Sequence, residues 1–275
     1  MDQEKDIKMK TLSLLFSVLA PAAAFAAAAP AAKPTVEVMF NQIAAKKHDV
    51  GPLSPGVIIT PTNLLMIADD KRFYLVGWGG TKPVDGLSPL AEFDYAPNGD
   101  IVGVRGKDLM AVSKKKRTTE KVLTLPAEGM GLASGRGKLY LFDRAGTGTY
   151  SLYVLLKDMK AVKLLESPEP IGAVLEDGDG LLFAAGTGIY RFGADKTTKL
   201  IFGLPKGSRA ISALAQDPVT KRIYASDGAS VFSFKDKDVV VITRENGGAL
   251  RWFGDGLVIF DPKAPLLIRV RGLPS

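Results

Sequence analysis

Apolar residues in this chain come in short runs, and the runs come in sets of four. Ile211–Asp217, Arg222–Ser226, Val231–Phe234 and Val239–Ile242 form one set, each separated from the next by a polar turn. Ile171–Glu176, Leu181–Ala185, Ile189–Phe192 and Leu200–Leu204 form a second; Ala91–Ala96, Ile101–Arg105, Leu109–Ser113 and Val122–Leu125 form a third. Runs of this length, bounded by Gly, Pro, Asn and Asp, read as strands. A unit of four strands with a period of about 35–42 residues is the mark of a β-propeller blade, a sheet buried on both faces by its neighbours. The pattern predicts an all-β fold, a six-bladed β-propeller, with units near Val57–Ser88, Pro89–Pro126, Ala127–Ser167, Pro168–Pro205, Lys206–Asn246 and Gly247–Ser275. The first unit is the loosest: Leu64–Ile67 and Arg72–Trp78 are good strands, but Gly79–Pro89 offers only weak outer ones. Rings of five or seven blades are the alternatives.

The last unit holds Leu250–Phe253, Leu257–Phe260 and Leu266–Val270, and stops one strand short. Near the other end of the chain, Thr35–Phe40 alternates like a strand but has no unit of its own. Placed outside Leu266–Val270, it supplies the missing strand and closes the ring. Asn41–Pro55 then reads as an irregular connector. Small residues at Gly129, Gly131, Gly172, Ala173, Ala213 and Ala249 suit innermost strands crowded around an axis.

The N-terminus changes the picture of where the protein works. Lys8 and Lys10 precede an apolar Thr11–Ala20, and Ala24-Phe25-Ala26 has the small-x-small form of a cleavage site. The expected division is residues 1–29 as a Sec-type signal peptide, 30–56 as a linker with the closing strand, and 57–275 as the propeller. Met9 is an alternative start, and an uncleaved anchor over Leu12–Ala29 is the rival reading, opposed by Pro21 and the weakly apolar alanine tract. The chain has no cysteine, so thiolate chemistry and disulfides are excluded. An exported, disulfide-free domain with a large β core suits a bacterial periplasm or the medium outside the cell. No later segment reaches membrane-spanning length, and a monomer that binds no nucleic acid is expected.

Candidate chemistry is sparse. Gly146-Thr147-Gly148 and Gly186-Thr187-Gly188 look like fragments of a phosphate loop, but each lies between two strands and lacks the helix such a loop needs. They read as hairpin turns. His48 is the only histidine and sits among Lys46, Lys47 and Asp49, so it reads as a solvated surface residue. One histidine outside the blades argues against a Ser-His-Asp triad, a multi-histidine zinc site or a histidine acid/base pair. For a hard metal such as calcium the candidate ligands are Asp69, Asp70, Asp94, Asn98, Asp100, Glu176, Asp177, Asp179, Asp217 and Asp255. Most fall beside Gly or Pro at expected turns, where Asp and Asn bond to the local backbone.

The phrase from Ala215 to Gly228, with its echoes in Tyr95–Ile101 and Gly135–Phe142, resembles the blade motif of six-bladed propellers of the NHL and gluconolactonase/regucalcin-like type. The resemblance implies the fold. In the lactonase members it also implies an axial metal site of Glu, Asn and Asp at strand starts. Here the loops leading into first strands carry Glu128, Glu169, Glu245 and Asn246, none within a motif that transfers a ligand role. Streptogramin-lyase-like propellers use a catalytic histidine, and these blades contain none.

Charge supplies the last signal. The formal net charge is +7, and Lys5, Lys8 and Lys10 cancel Asp2, Glu4 and Asp6, so the mature domain carries it. Lys114–Arg117, Lys157 and Lys160, Lys196 and Lys199, and Lys235 and Lys237 sit in the hairpins between third and fourth strands. Such a face suits a protein partner or an anionic surface; it equally suits solubility and edge protection. The opposite face gathers one loop pair per blade and would bring together Trp78, Arg105, Asp108, Arg144, Glu169, Arg209, Glu245, Asn246 and Arg251 as a mouth for a polar ligand or peptide. The function expected is a binding or interaction module; a metal-dependent lactonase or hydrolase with carboxylates at the channel mouth is the alternative.

Overall fold

The computed structural model describes residues 34–77, 79–96, 98–113, 118–145, 148–158, 160–178, 180–236 and 238–274. The signal segment, Trp78, Lys114–Arg117, Gly146, Thr147, Asp179 and Lys237 lie outside the described residues. Strand β1 (Thr35–Phe40) and a short helix α1 (Gln42–Lys47) precede the first complete sheet. Blade 1 is β2 (Ile58–Ile59), β3 (Leu65–Ala68), β4 (Phe73–Gly77) and β5 (Gly80–Val84); blade 2 is β6 (Glu92–Tyr95), β7 (Ile101–Arg105), β8 (Asp108–Ser113) and β9 (Thr118–Thr124). Blade 3 runs through β10 (Gly131–Gly135), β11 (Lys138–Phe142), β12 (Tyr150–Leu155) and β13 (Ala161–Ser167). Blade 4 runs through β14 (Ile171–Glu176), β15 (Leu181–Ala185), β16 (Gly188–Phe192) and β17 (Thr198–Gly203). Blade 5 has β18 (Ala213–Gln216), β19 (Ile223–Ser226), β20 (Val231–Lys235) and β21 (Asp238–Thr243). Blade 6 takes β22 (Ala249–Phe253), β23 (Gly256–Asp261) and β24 (Leu266–Arg271) from the C-terminus and β1 from the N-terminus, in the order β1-β24-β23-β22.

Why these runs form a ring follows from their period of two. In β3, Leu65 and Ile67 pack with Phe253, Val258 and Phe260 of blade 6. Between them, Met66 and Ala68 pack with Phe93, Ile101 and Val112 of blade 2. Successive side chains of a strand point to opposite faces, so an unbroken apolar run is buried on both. The same partition recurs around the ring, with one cluster of buried side chains at each of the six junctions between blades. Ring closure is as the sequence pattern predicts. β1 pairs antiparallel with β24, Val36 against Val270 and Val38 against Ile268, and a bulge then brings Phe40 opposite Leu267 and into the core, 1% exposed.

Two features depart from the sequence reading. The connector after Phe40 is partly helical: the Asn41 side chain accepts hydrogen bonds from the N–H groups of Ile43 and Ala44, both 3.0 Å, and so starts α1. A six-residue helix is too short to announce itself by periodicity. The innermost strand of blade 1 is only two residues long, and β5 alone supplies the outer strand expected over Gly79–Pro89.

Close approach at the axis explains part of the small-residue pattern. A Cβ on Gly172 would lie 1.9 Å from the carbonyl oxygen of Ile211, just before β18 of the next blade, and one on Gly248 would lie 2.1 Å from that of Phe260 on the paired strand β23. No side chain fits either place. Gly129, by contrast, precedes β10 rather than lying in it. Because each blade is an antiparallel meander, the loops between blades and the second-to-third-strand turns share one end of the axis. The other two turn types share the opposite end, where the described hairpin lysines Lys157, Lys160, Lys196, Lys199 and Lys235 are all exposed. Among the described residues no helix is long and apolar enough to cross a membrane.

Candidate functional site

The starts of the innermost strands enclose a funnel of about 400 Å³ on the axis, at the end carrying the inter-blade loops. Much of its wall is small: Gly172 and Ala173 of β14, Ala213 of β18, and Gly248 and Ala249 at β22. Phe93, Leu132 and Phe142 add apolar surface. Into this lining project two arginines, Arg144 from the turn after β11 and Arg251 from the middle of β22.

Each arginine is held by a carboxylate of β6. Arg144 donates through Nη1 to Glu92, and its guanidinium lies over the Phe142 ring, 5.2 Å from the centroid. Arg251 donates through Nη2 to Asp94 Oδ2 at 3.4 Å and through Nη1 to the Leu250 carbonyl at 3.0 Å. Asp94 is buried, and its other donors come from two blades: Tyr95 N–H at 2.8 Å, Ser134 N–H at 2.9 Å and the Ser134 hydroxyl at 2.7 Å. Asp94 thus ties blade 2 to blade 3 and, past the shortened inner strand of blade 1, to blade 6. A double-mutant cycle of Asp94→Asn and Arg251→Gln should give a coupling free energy of about 1–2 kcal/mol, read from urea midpoints. Strict additivity would mean that the contact carries no cross-axis stabilisation.

Of the nine residues expected at the mouth, the structure brings Arg144 and Arg251 into the funnel. Arg105 and Asp108 lie at the β7–β8 turn, where Arg105 reaches the Pro89 carbonyl and Asp108 pairs with Lys121 at 2.7 Å. Glu169, Arg209 and Glu245 are exposed on their loops and Asn246 is half-buried. Glu92 and Asp94, the partners of the two arginines, had no place in the expected mouth. Asp94, a candidate hard-metal ligand in the sequence, sits on β6 and is held by Ser134 and Arg251; the signal for the pair is the alternation Glu92-Phe93-Asp94, two charges on one face of an innermost strand.

Of the other candidates, Glu176, Asp177 and Asp255 pair with Lys138, Arg191 and Arg269, and three behave as turn formers. Asn98 and Asp100 bond to each other at 3.0 Å, and Asp217 accepts from Val219 N–H at 2.8 Å and the Thr220 hydroxyl at 2.7 Å. Gly186 and Thr187 form the tight turn between β15 and β16, as read from the sequence. His48 follows the last residue of α1 and is half-buried.

These features define a six-bladed propeller with a charged axial funnel. No family model matches the sequence, and no curated protein matches it significantly. Solved structures do share the fold. A putative gluconolactonase aligns at 14% identity over 89% of this chain and 95% of its own, with a TM-score of 0.64. A luciferin-regenerating enzyme aligns at 16% identity over 87% and 96%, with a TM-score of 0.64. Regucalcin from Agrobacterium tumefaciens, a calcium-binding protein, aligns at 14% identity over 82% and 92%, with a TM-score of 0.62. The chain therefore has the architecture of gluconolactonase/regucalcin-like propellers, at the level of fold.

A calcium ion of the kind the regucalcin neighbour binds does not fit the axial residues here. Calcium takes six or more oxygen ligands, several of them anionic. Among the described residues no three Asp, Glu, His or Cys side chains come together at metal-binding range. Glu92, which lines the funnel, and Asp94 behind it are each engaged by a guanidinium, whose positive charge opposes a cation in the same place, and Asp261 at the rim accepts from the Lys263 and Ala264 N–H groups.

Proposed function

We propose that the protein is an exported binding module that takes a small polar ligand into the axial funnel. The observation that carries this reading is the funnel itself: a concave, largely apolar wall of small residues into which two held arginines project. Convergent polar groups in a mostly apolar concavity of this size are the usual form of a small-molecule site. Export rests on the Lys8–Ala29 segment, and the lysine-rich hairpin face would be a second surface, open to a protein partner or an anionic surface.

The test is thermal shift against a small-molecule panel, with Ser212→Trp as control. Ser212 is exposed and lines the funnel, so a tryptophan there should obstruct it without disturbing the core. A ligand that binds only the native state raises its apparent stability. Saturable stabilisation that Ser212→Trp abolishes is the expected result. Saturable stabilisation by calcium or zinc instead would overturn the reading in favour of a metal-dependent hydrolase. For export, the mature protein from a periplasmic fraction should begin near Ala27; an intact N-terminus in the cytoplasm would refute it.

A further inference from the structure

We infer that the ligand of the funnel is a small organic anion, an oxyanion head on a compact apolar body, and that Arg144 recognises the head. The inference rests on the reading of the funnel as a binding site and narrows it to a chemical class.

The polarity of the two ion pairs carries the argument. In each, the carboxylate is the buried end and the guanidinium the exposed one. The side chains of Arg144 and Arg251 are 33% and 31% exposed, against 19% for Glu92 and 5% for Asp94. At both pairs, what the funnel presents to an incoming molecule is therefore guanidinium; Asp261 and Lys263, one of each sign, also line it. Asp94 offers little to a cation, because both its oxygens already accept from N–H or O–H donors. Arg144 is better placed than Arg251 to receive a ligand. A guanidinium carries five N–H groups in a rigid fork suited to carboxylate or phosphate, and the contact to Glu92 engages Nη1. The cation–π contact with Phe142 gives the guanidinium a second support beside Glu92.

Glu92 then acquires a role. Its carboxylate lies where the ligand's own oxyanion would lie, as an internal occupant that keeps Arg144 aimed and must yield when an anion arrives. The rest of the wall sets the body of the ligand. Glycine, alanine and phenylalanine surfaces dominate it and give no hydrogen bonds to a polyhydroxylated body, Ser212, Asp261 and Lys263 being the polar side chains besides the two ion pairs, and a volume of about 400 Å³ holds a compact molecule.

The experiment uses three probes of one shape: benzoate, phenyl phosphate and the neutral benzyl alcohol, titrated by calorimetry and ligand-observed NMR at low ionic strength. Wild-type protein should bind at least one anion about tenfold or more tighter than benzyl alcohol, and which anion wins tells carboxylate from phosphate. Arg144→Gln should lose that margin while keeping its melting temperature. Glu92→Gln should bind the anion more tightly, since the internal competitor has lost its charge. A purely structural Glu92–Arg144 pair would instead weaken binding in both variants, and that outcome overturns the proposal. Equal binding of benzyl alcohol and the anions, blocked by Ser212→Trp, would refute the anionic head and leave the funnel as a binding site. If no probe binds, or if Ser212→Trp binds the probes as wild type does, the funnel reading itself fails.

Discussion

A chain lacking the residues before Asn41 should lose stability throughout, by about 5 kcal/mol or more, and unfold in one transition. The deletion removes β1 and strips β24 of its outer hydrogen-bonding partner over Thr35–Phe40. It also empties the place of Phe40, which packs with Tyr74 and Val76 of blade 1 and Phe260 and Leu267 of blade 6. Loss of a buried phenylalanine side chain alone costs about 3–5 kcal/mol. Each ladder hydrogen bond adds roughly 1 kcal/mol, and the exposed edge of β24 invites pairing with other chains. The effect should spread because Phe40 sits where the last blade meets the first, at the start of the connector that joins β1 to β2, so the deletion unties blade 6 from blade 1. For a chain of this size the melting temperature should fall by roughly 10 °C or more. Calorimetry showing an unchanged melting temperature would mean that the ring closes without β1.

Much of this architecture was legible because the blade pattern is redundant. Four blades need only repeat the alternation of Leu65-Met66-Ile67-Ala68 for the sheet to be read as buried on both faces, and the closing strand betrays itself by having no unit. The hidden parts are those where one blade differs from the rest. β2 is truncated to Ile58–Ile59, and nothing in the sequence tells that Arg251 meets Asp94 of a blade two places away. Arg144 and Arg251 were expected at the mouth because their loop and strand positions are fixed by the repeat. Glu92 and Asp94 were not, because the run Ala91–Ala96 shows that they share a strand face but not that Ser134, Arg144 and Arg251 of other blades meet it. Glu169 and Glu245 show the converse: the right loop type does not bring a residue to the axis.

Replacing Asp69 should cost about 3 kcal/mol for Asp69→Ala at neutral pH, a large loss for a polar side chain, and that loss should be tied to pH. Asp69 follows β3, is 1% exposed and accepts four hydrogen bonds. Oδ1 takes the N–H groups of Lys71 and Arg72 at 2.8 and 2.7 Å; Oδ2 takes Gly51 N–H at 2.9 Å and the Tyr74 hydroxyl at 2.7 Å. The carboxylate thereby fastens the connector that follows α1 onto blade 1. Burial by itself raises its pKa, but the hydrogen bonds from Tyr74, Gly51, Arg72 and Lys71 together prevail and hold it below the ordinary 3.8. The Tyr74 hydroxyl keeps its proton, its pKa raised first by burial and then by Asp69. A carboxyl depressed in the folded state contributes stability that is present above its unfolded pKa and lost as pH falls through the folded one. Wild type should therefore exceed Asp69→Asn by about 2 kcal/mol at neutral pH, and the gap should close below the ordinary carboxylate range. Urea midpoints of both proteins, followed from neutral pH to pH values below 3.8, measure that gap. A gap that stays constant across the acid range would show that the ionised form of Asp69 contributes nothing to the fold, and that only its shape matters.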